Sequence, residues 1–131
     1  MSFTALATRA YKDPLTTVYL NSLKQNDDYL ITAVSKAWVK FDGSAASVSA
    51  IASQNVSSIT DSGAGLFTIN FITGMIGSGY VMVGSVQEPQ PGQVCVQSGT
   101  MGTGSCGIAV TQNSDVLIDE YTMVVFFGEG K

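Results

Sequence analysis

The chain holds no histidine among its 131 residues. That removes the commonest general base and the commonest metal ligand. A Ser-His-Asp or Cys-His nucleophile therefore cannot be assembled within it. Asp61-Ser62-Gly63 has the letters of a serine-protease signature, but without a base it reads as a turn. Gly102-Thr103-Gly104-Ser105-Cys106-Gly107 matches G-x-G-x-x-G. That motif serves dinucleotides only where it opens a helix whose N-terminus receives the pyrophosphate. Here it runs into Ile108-Ala109-Val110-Thr111, which reads as a strand, so the match is accidental. Of the carboxylates, Asp27 and Asp28 fall on a predicted helix, and Asp119 and Glu120 lead into the last predicted strand. Neither pair supplies oxygen ligands at the alternate positions of a calcium loop. A glycosidase pair could still converge from distant positions. Cys95 and Cys106 lie on adjacent predicted strands, where a cross-strand disulfide would close a short loop. Two thiols without further ligands make a poor zinc site. The expectation is a chain without catalytic residues, cofactor or metal.

The elements that would position these residues are mostly strands. Asp13-Pro14 supplies an N-cap and a first helical residue that needs no N–H. A helix is expected over residues 14 to about 34, after an extended arm at 1–12. Leu20, Leu23, Leu30 and Val34 fall on an a/d-like pattern, with Asp27 between them and Leu15 and Tyr19 on a neighbouring stripe. The seam is too short to stand alone, because marginal helices need packing partners. It fits either an amphipathic helix packed on its own β-domain or a short helix beside a three-fold axis. From Ala37 the pattern turns to short apolar runs bounded by Gly, Ser, Asn and Asp. Strands are predicted near 37–42, 47–51, 55–60, 66–71, 80–86, 93–98, 106–111, 115–118 and 121–127. Turns are predicted at 42–43, 61–65, 77–79 and 113–115. Many short, closely spaced strands without βαβ units predict a mainly β chain, an antiparallel β-sandwich with one N-terminal helix. The boundary falls between an arm and helix at 1–36 and a sandwich at 37–131. The predicted core is Trp38, Phe41, Ile59, Phe67, Ile69, Phe71, Val81, Val83, Val124 and Phe126.

Composition narrows the function. Hydrophobic residues make up 45% and charged residues 12%, and mean hydropathy is +0.25. No apolar run approaches the length of a membrane span, and residues 1–9 lack the basic start and apolar core of a signal peptide. A chain this apolar and this poor in charge is expected to hide surface against copies of itself or other proteins. The net charge is −4, and the six basic residues, Arg9, Lys12, Lys24, Lys36, Lys40 and Lys131, are scattered. Nucleic-acid binding needs a concentrated positive footprint, which is absent. Gln87-Glu88-Pro89-Gln90-Pro91-Gly92 reads as a surface loop, since two prolines cannot serve a central ladder. Residues 98–105 form a long small-residue loop, expected to be mobile or ordered only by a neighbour. Gln87, Glu88, Gln90, Thr100, Met101 and Thr103 are the candidate exposed contact residues of these two loops.

Three segments carry a further signal. They are Ala37-Trp38-Val39-Lys40-Phe41-Asp42-Gly43, Asn55-Val56-Ser57-Ser58-Ile59-Thr60-Asp61 and Leu66-Phe67-Thr68-Ile69-Asn70-Phe71. Tyr80-Val81-Met82-Val83-Gly84-Ser85 and Met123-Val124-Val125-Phe126-Phe127-Gly128 follow. In order and spacing this run resembles the C-terminal β-domain of bacteriophage tail-fibre, head-fibre and decoration proteins. There a Trp-bearing strand leads to a Val-Ser-Ser-Ile-Thr-Asp strand, a Gly turn, a Tyr-Thr-Val-Asn-Phe-like strand and a Val-x-Val-Phe-Gly ending. The resemblance covers roughly residues 37–128. It implies a non-enzymatic virion protein assembled in the host cytoplasm, commonly trimeric, and used in several virion positions. Leu20, Leu23, Leu30 and Val34 are then the candidate trimer interface. The implied partners are other copies and capsid, portal or tail proteins, with no nucleic acid and no membrane insertion. A reducing cytoplasm favours free thiols at Cys95 and Cys106. The sequon Asn55-Val56-Ser57 falls inside the family-like strand and carries no meaning without secretion. The short chain fits a head decoration, a head fibre or a small tail component. The alternative is a host-receptor module binding surface glycan or protein. It would need exposed aromatics, drawn from Tyr11, Tyr19, Tyr29, Tyr80 and Tyr121.

Overall fold

A computed structural model of the chain describes residues 21, 23–25, 34–87, 91–97, 99–112 and 116–128. The chain divides into two compact units, Met1–Val34 and Ser35–Lys131. In the first, residues 21 and 23–25 are helical and Val34 lies in a bend. The remainder of the predicted arm and helix lies outside the described residues.

The second unit is built from eight strands. They are β1 (Ala37–Asp42), β2 (Ala50–Gln54), β3 (Val56–Gly63), β4 (Leu66–Phe71), β5 (Val81–Gln87), β6 (Gly92–Val96), β7 (Ser105–Gln112) and β8 (Tyr121–Phe127). All pairings are antiparallel. A front sheet has the order β2-β1-β8-β5 and a back sheet the order β3-β4-β7-β6. The two-residue side-chain period of a strand decides what faces inward. β1 buries Ala37, Val39 and Phe41 and turns Trp38, Lys40 and Asp42 out; β8 buries Thr122, Val124 and Phe126. β4 buries Phe67, Ile69 and Phe71, and β7 buries Cys106, Ile108 and Val110. Aromatic edges join the two sheets. Phe41 of the front meets Phe67 of the back at 5.0 Å, and Phe126 meets Phe71 at 5.1 Å. Each such pair adds about 0.5–1.5 kcal/mol beyond its buried area.

The two edges of the sandwich close differently. On one side β2 and β3 are separated only by Asn55, so one run of chain leaves the front sheet and enters the back sheet. The corner requires a left-handed backbone, and Asn55 has φ 56°, a conformation asparagine tolerates. Its amide fixes the corner. Nδ2 donates to the carbonyls of Lys36 (3.0 Å) and Thr73 (2.9 Å), and Oδ1 accepts from the Thr73 N–H (2.7 Å). On the other side β5 approaches β6, and Gly84 makes room. A Cβ there would come within 2.8 Å of the Val124 and Val94 side chains.

The predicted strands at 37–42, 66–71 and 121–127 match β1, β4 and β8, and the antiparallel sandwich is as expected. The segment expected at 47–51 is shifted to Ala50–Gln54. No strand forms at 116–118. The N–H of Gln112 reaches the Val116 carbonyl (2.7 Å), and that of Ile118 reaches the Val110 carbonyl (3.0 Å). The segment therefore folds back on the end of β7, and Leu117 makes a single bridge to Thr111. Phe41, Phe67, Ile69, Phe71, Val124 and Phe126 are in the core, with Ile59 packed against it. Three predicted core residues are corrected. Trp38 is half-buried on the outward side of β1. Val81 and Val83 point outward from β5, at 59% and 56% exposure. Met82, Gly84 and Val86 take the inward positions of that strand.

Candidate interaction surface

Two of the carboxylates that could have carried chemistry serve the backbone. Asp61 Oδ1 accepts the Gly63 N–H in a turn (2.9 Å). Asp119 Oδ1 accepts the Gly65 N–H (2.6 Å), at a glycine whose φ of +67° suits the turn. The glycine-rich match at 102–107 ends inside β7 and opens no helix. Among the described residues no group of three or more His, Cys, Asp or Glu could hold a metal ion. Asn55 is half-buried with both amide hydrogens donated, so its sequon has no free nitrogen for a sugar. Asp27 and Asp28 lie outside the described residues.

Both cysteines are free, Cys95 exposed and Cys106 buried. Cys95 stands opposite Ala109 in the β6–β7 register, three residues from Cys106 and on the other face of the sheet. A disulfide within the chain would need Cα atoms within about 7 Å and converging Cβ vectors, which this register forbids. Burial pushes the Cys106 thiol up from its ordinary value. Tyr80 beside it is also pushed well up, first by burial and then by the neighbouring thiol.

The predicted interface and loop residues separate. Leu23 is half-buried in the helical residues, and Val34 is 48% exposed in its bend. Leu20, Leu30, Glu88 and Gln90 lie outside the described residues. Gln87 is exposed at the end of β5. The loop before β7 differs from the expectation of a mobile or partner-ordered segment, because its own fold ties it down. Thr100 Oγ1 donates to the Gln97 carbonyl (2.7 Å) and lies 3.1 Å from that of Gly107. Met101 packs against the core. Tyr80 Oη donates to the Gly102 carbonyl (2.9 Å). Thr103 is exposed, but its carbonyl accepts the Met75 N–H (2.7 Å).

Among the described residues, the outward face of the front sheet leaves large apolar side chains exposed. Its strands place side chains in rows. Val81 stands opposite Phe127. Val83, Val125, Trp38 and Gln54 form the next row across β5, β8, β1 and β2. Ser85, Met123, Lys40 and Ala52 follow, then Gln87, Tyr121 and Asp42. The face is therefore banded, apolar at the Val81 and Phe127 end and polar at the Asp42 end. Phe127 is 40% exposed. The indole N–H of Trp38 donates to Gln54 Oε1 (3.0 Å), which holds the ring against its row. At the polar end Ser44 donates its hydroxyl and its N–H to Asp42 Oδ1 (2.6 and 3.0 Å). The Ser44 hydroxyl chiefly lowers the Asp42 carboxyl from its ordinary value. The charge of Asp42 in turn raises the Tyr121 phenol. Beyond the apolar end lies a cleft of about 410 Å³ lined by Ile76, Gly77, Gly79, Tyr80 and Gly128. The Tyr80 ring is buried, so the cleft presents aliphatic and glycine surface.

Sequence reasoning missed this face because it assigned Trp38, Val81 and Val83 to the core. One signal was available: Trp38 shares its β1 parity with Lys40 and Asp42, two charges that belong outside. The fold and face define a two-sheet antiparallel β-sandwich with one apolar outer surface. No family model, curated protein or solved structure matches the chain.

Proposed function

We propose that this chain is a non-enzymatic structural protein of a bacteriophage virion, a homotrimeric appendage of the fibre or decoration type on head or tail. The observation that carries the reading is the apolar outward face of the front sheet, in a chain with only 12% charged residues. Monomers seldom leave a contiguous apolar patch of that kind uncovered. The resemblance over residues 37–128 supplies the virion context. The chain's partners are its own copies and neighbouring capsid, portal or tail proteins. Buried β-surface supplies the association energy, with no cofactor and no catalytic step. The test is solution mass by light scattering, on the free chain and on appendages released from particles. Three times the 13.7 kDa of one chain is expected; a single-copy mass in both overturns the trimer. Cleavage of polysaccharide by the purified chain, lost on changing one carboxylate to its amide, overturns the non-enzymatic part.

A second reading, a host-receptor binding module, draws on the cleft at Ile76, Tyr80 and Gly128. Against it, the Tyr80 ring packs on Phe71 and Phe126 and is not free to stack on a sugar. Competition of the free chain with particles for adsorption to host cells would favour this reading.

A further inference from the structure

We propose that the outward face of the front sheet seats a second copy of this chain, with the strands of neighbouring copies running parallel. In this arrangement the β1 side of one copy lies against the β5 side of the next. The inference rests on the homo-oligomeric reading above and adds the surface and its orientation.

The occupant follows from the form and charge of the face. β1 and β8 are laddered on both sides, so their backbone groups have no capacity for an added strand. What the face offers is a flat array of side chains, which another sheet face can meet at about 10 Å. The chain carries net charge −4, yet this face holds one cation, Lys40, and one anion, Asp42, one row apart. A second copy brings the same neutral pair and no net repulsion. An anionic lipid surface would want a concentration of cations, which the face lacks.

The orientation follows from the banding. A parallel neighbour in register sets Trp38 against Val83, Lys40 against Ser85, and Asp42 against Gln87. Each row meets a row of its own kind. A neighbour turned half around an axis normal to the face lays Val81 and Phe127 over Asp42 and Gln87. That buries a carboxylate against hydrocarbon without a partner, which is strongly unfavourable. A β1-to-β5 contact that is not reciprocated within one pair is head-to-tail and closes a ring when its rotation closes, which is the form the homotrimer proposed above takes.

Two measurements on the full chain test this. The first is oxidative cross-linking of Trp38→Cys combined with Val83→Cys, with Cys95→Ser to remove the exposed native thiol. Within one chain positions 38 and 83 are two strands apart, with Val125 between them. That separation is about 10 Å, beyond disulfide reach, so any bond formed joins two copies. The double variant is expected to give a covalent ladder on a non-reducing gel, and each single variant to stay uncross-linked. Single variants that cross-link to themselves as well as the pair does would overturn the parallel orientation. The second measurement is solution mass of Val83→Glu beside Cys95→Glu, which puts the same charge on the outward face of the back sheet. Val83→Glu is expected to fall to one-copy mass with its β circular dichroism retained, and Cys95→Glu to keep the wild-type mass. An oligomeric wild type that tolerates Val83→Glu and yields no cross-links overturns this inference and leaves the proposed function standing. A wild type monomeric at every concentration overturns both.

Discussion

The two outward faces of the sandwich share a core and differ in almost everything else. The front face carries Trp38, Val81, Val83, Val125 and Phe127, and beyond the bond from Trp38 to Gln54 its apolar rows have no partner in the described chain. The back face carries short polar residues that bond one another, beside Leu66, Cys95 and Ala109. Asn70 Nδ2 donates to Ser58 Oγ and Thr60 Oγ1, both at 3.0 Å, and the Ser57 hydroxyl donates to the Asn70 carbonyl at 3.1 Å. Thr100 lies over Gly107, where any side chain would collide with it. Among the described residues, one face is tied by hydrogen bonds around Asn70, and the other leaves apolar side chains exposed. Two sheets of one fold can thus be assigned opposite tasks by side-chain parity alone, since a strand's inward and outward residues are chosen independently.

The contrast breaks first if inward and outward positions of the front sheet behave alike. Phe126→Ala removes a fully buried ring that touches Phe71 and Tyr80. It is expected to cost about 3–5 kcal/mol of unfolding free energy in a denaturant titration. Val83→Ala on the adjacent strand is expected to change the unfolding of the isolated chain by less than about 0.5 kcal/mol. A loss at Val83 comparable to that at Phe126 would mean that the outward face is not free surface. The back face is probed by Asn70→Ala, which removes hydrogen bonds worth roughly 0.5–1.5 kcal/mol each. Its expected effect is about 1–2 kcal/mol of stability with no change in solution mass.

Smaller effects sharpen the picture. A thiol reagent is expected to modify one cysteine per native chain, the exposed Cys95. The buried Cys106 should react only after unfolding, because its thiolate is disfavoured by burial. Two thiols reacting at equal rates in the native state would contradict this. At the polar end of the front face, Asp42 has its carboxyl lowered in the folded chain. A lowered folded value means that the carboxylate's contribution is present above the unfolded value, near 3.8, and is lost as pH falls below it. Melting temperature should fall less between pH 5 and pH 3 in Asp42→Asn than in the wild type. An unchanged acid dependence would remove Asp42 from the account.

The sandwich is legible in the sequence because short apolar runs recur between turn residues, and because β4 from Phe67 to Phe71 and β1 from Val39 to Asp42 alternate between large apolar and polar residues. β5 is not, and the reason is physical. In the run Tyr80 to Val86 both parities are apolar, so periodicity cannot say which side is buried. Trp38 and Phe41 have opposite parity within one strand and cannot both face the core, a contradiction visible in the residue order itself. The corner at Asn55 reads as the start of a strand, because nothing local announces that one run of chain will serve two sheets. The loop at 98–105 reads from its composition as loose. Its anchors, Tyr80, Met75 and Phe71, come from elsewhere in the chain. Of the candidate seam and loop residues, Leu20, Leu30, Glu88 and Gln90 lie outside the described residues.

The pairing of β1 with β8 has a consequence for how the protein is made. β1 is the first strand of the sandwich to be synthesised, and its permanent neighbour in the middle of the front sheet is the last. At roughly 5–20 residues per second the wait between them is on the order of ten seconds. During that interval β1 can hold only its hairpin partner β2, with one edge unpaired and with Val39 and Phe41 uncovered. Such long-range pairing slows folding and leaves sticky strands exposed. Soluble yield should therefore respond to growth temperature and chaperone supply more than the stability of the finished sandwich would suggest. Assembly between copies must come later still, because the middle strand of the face that would join them is also the last to arrive.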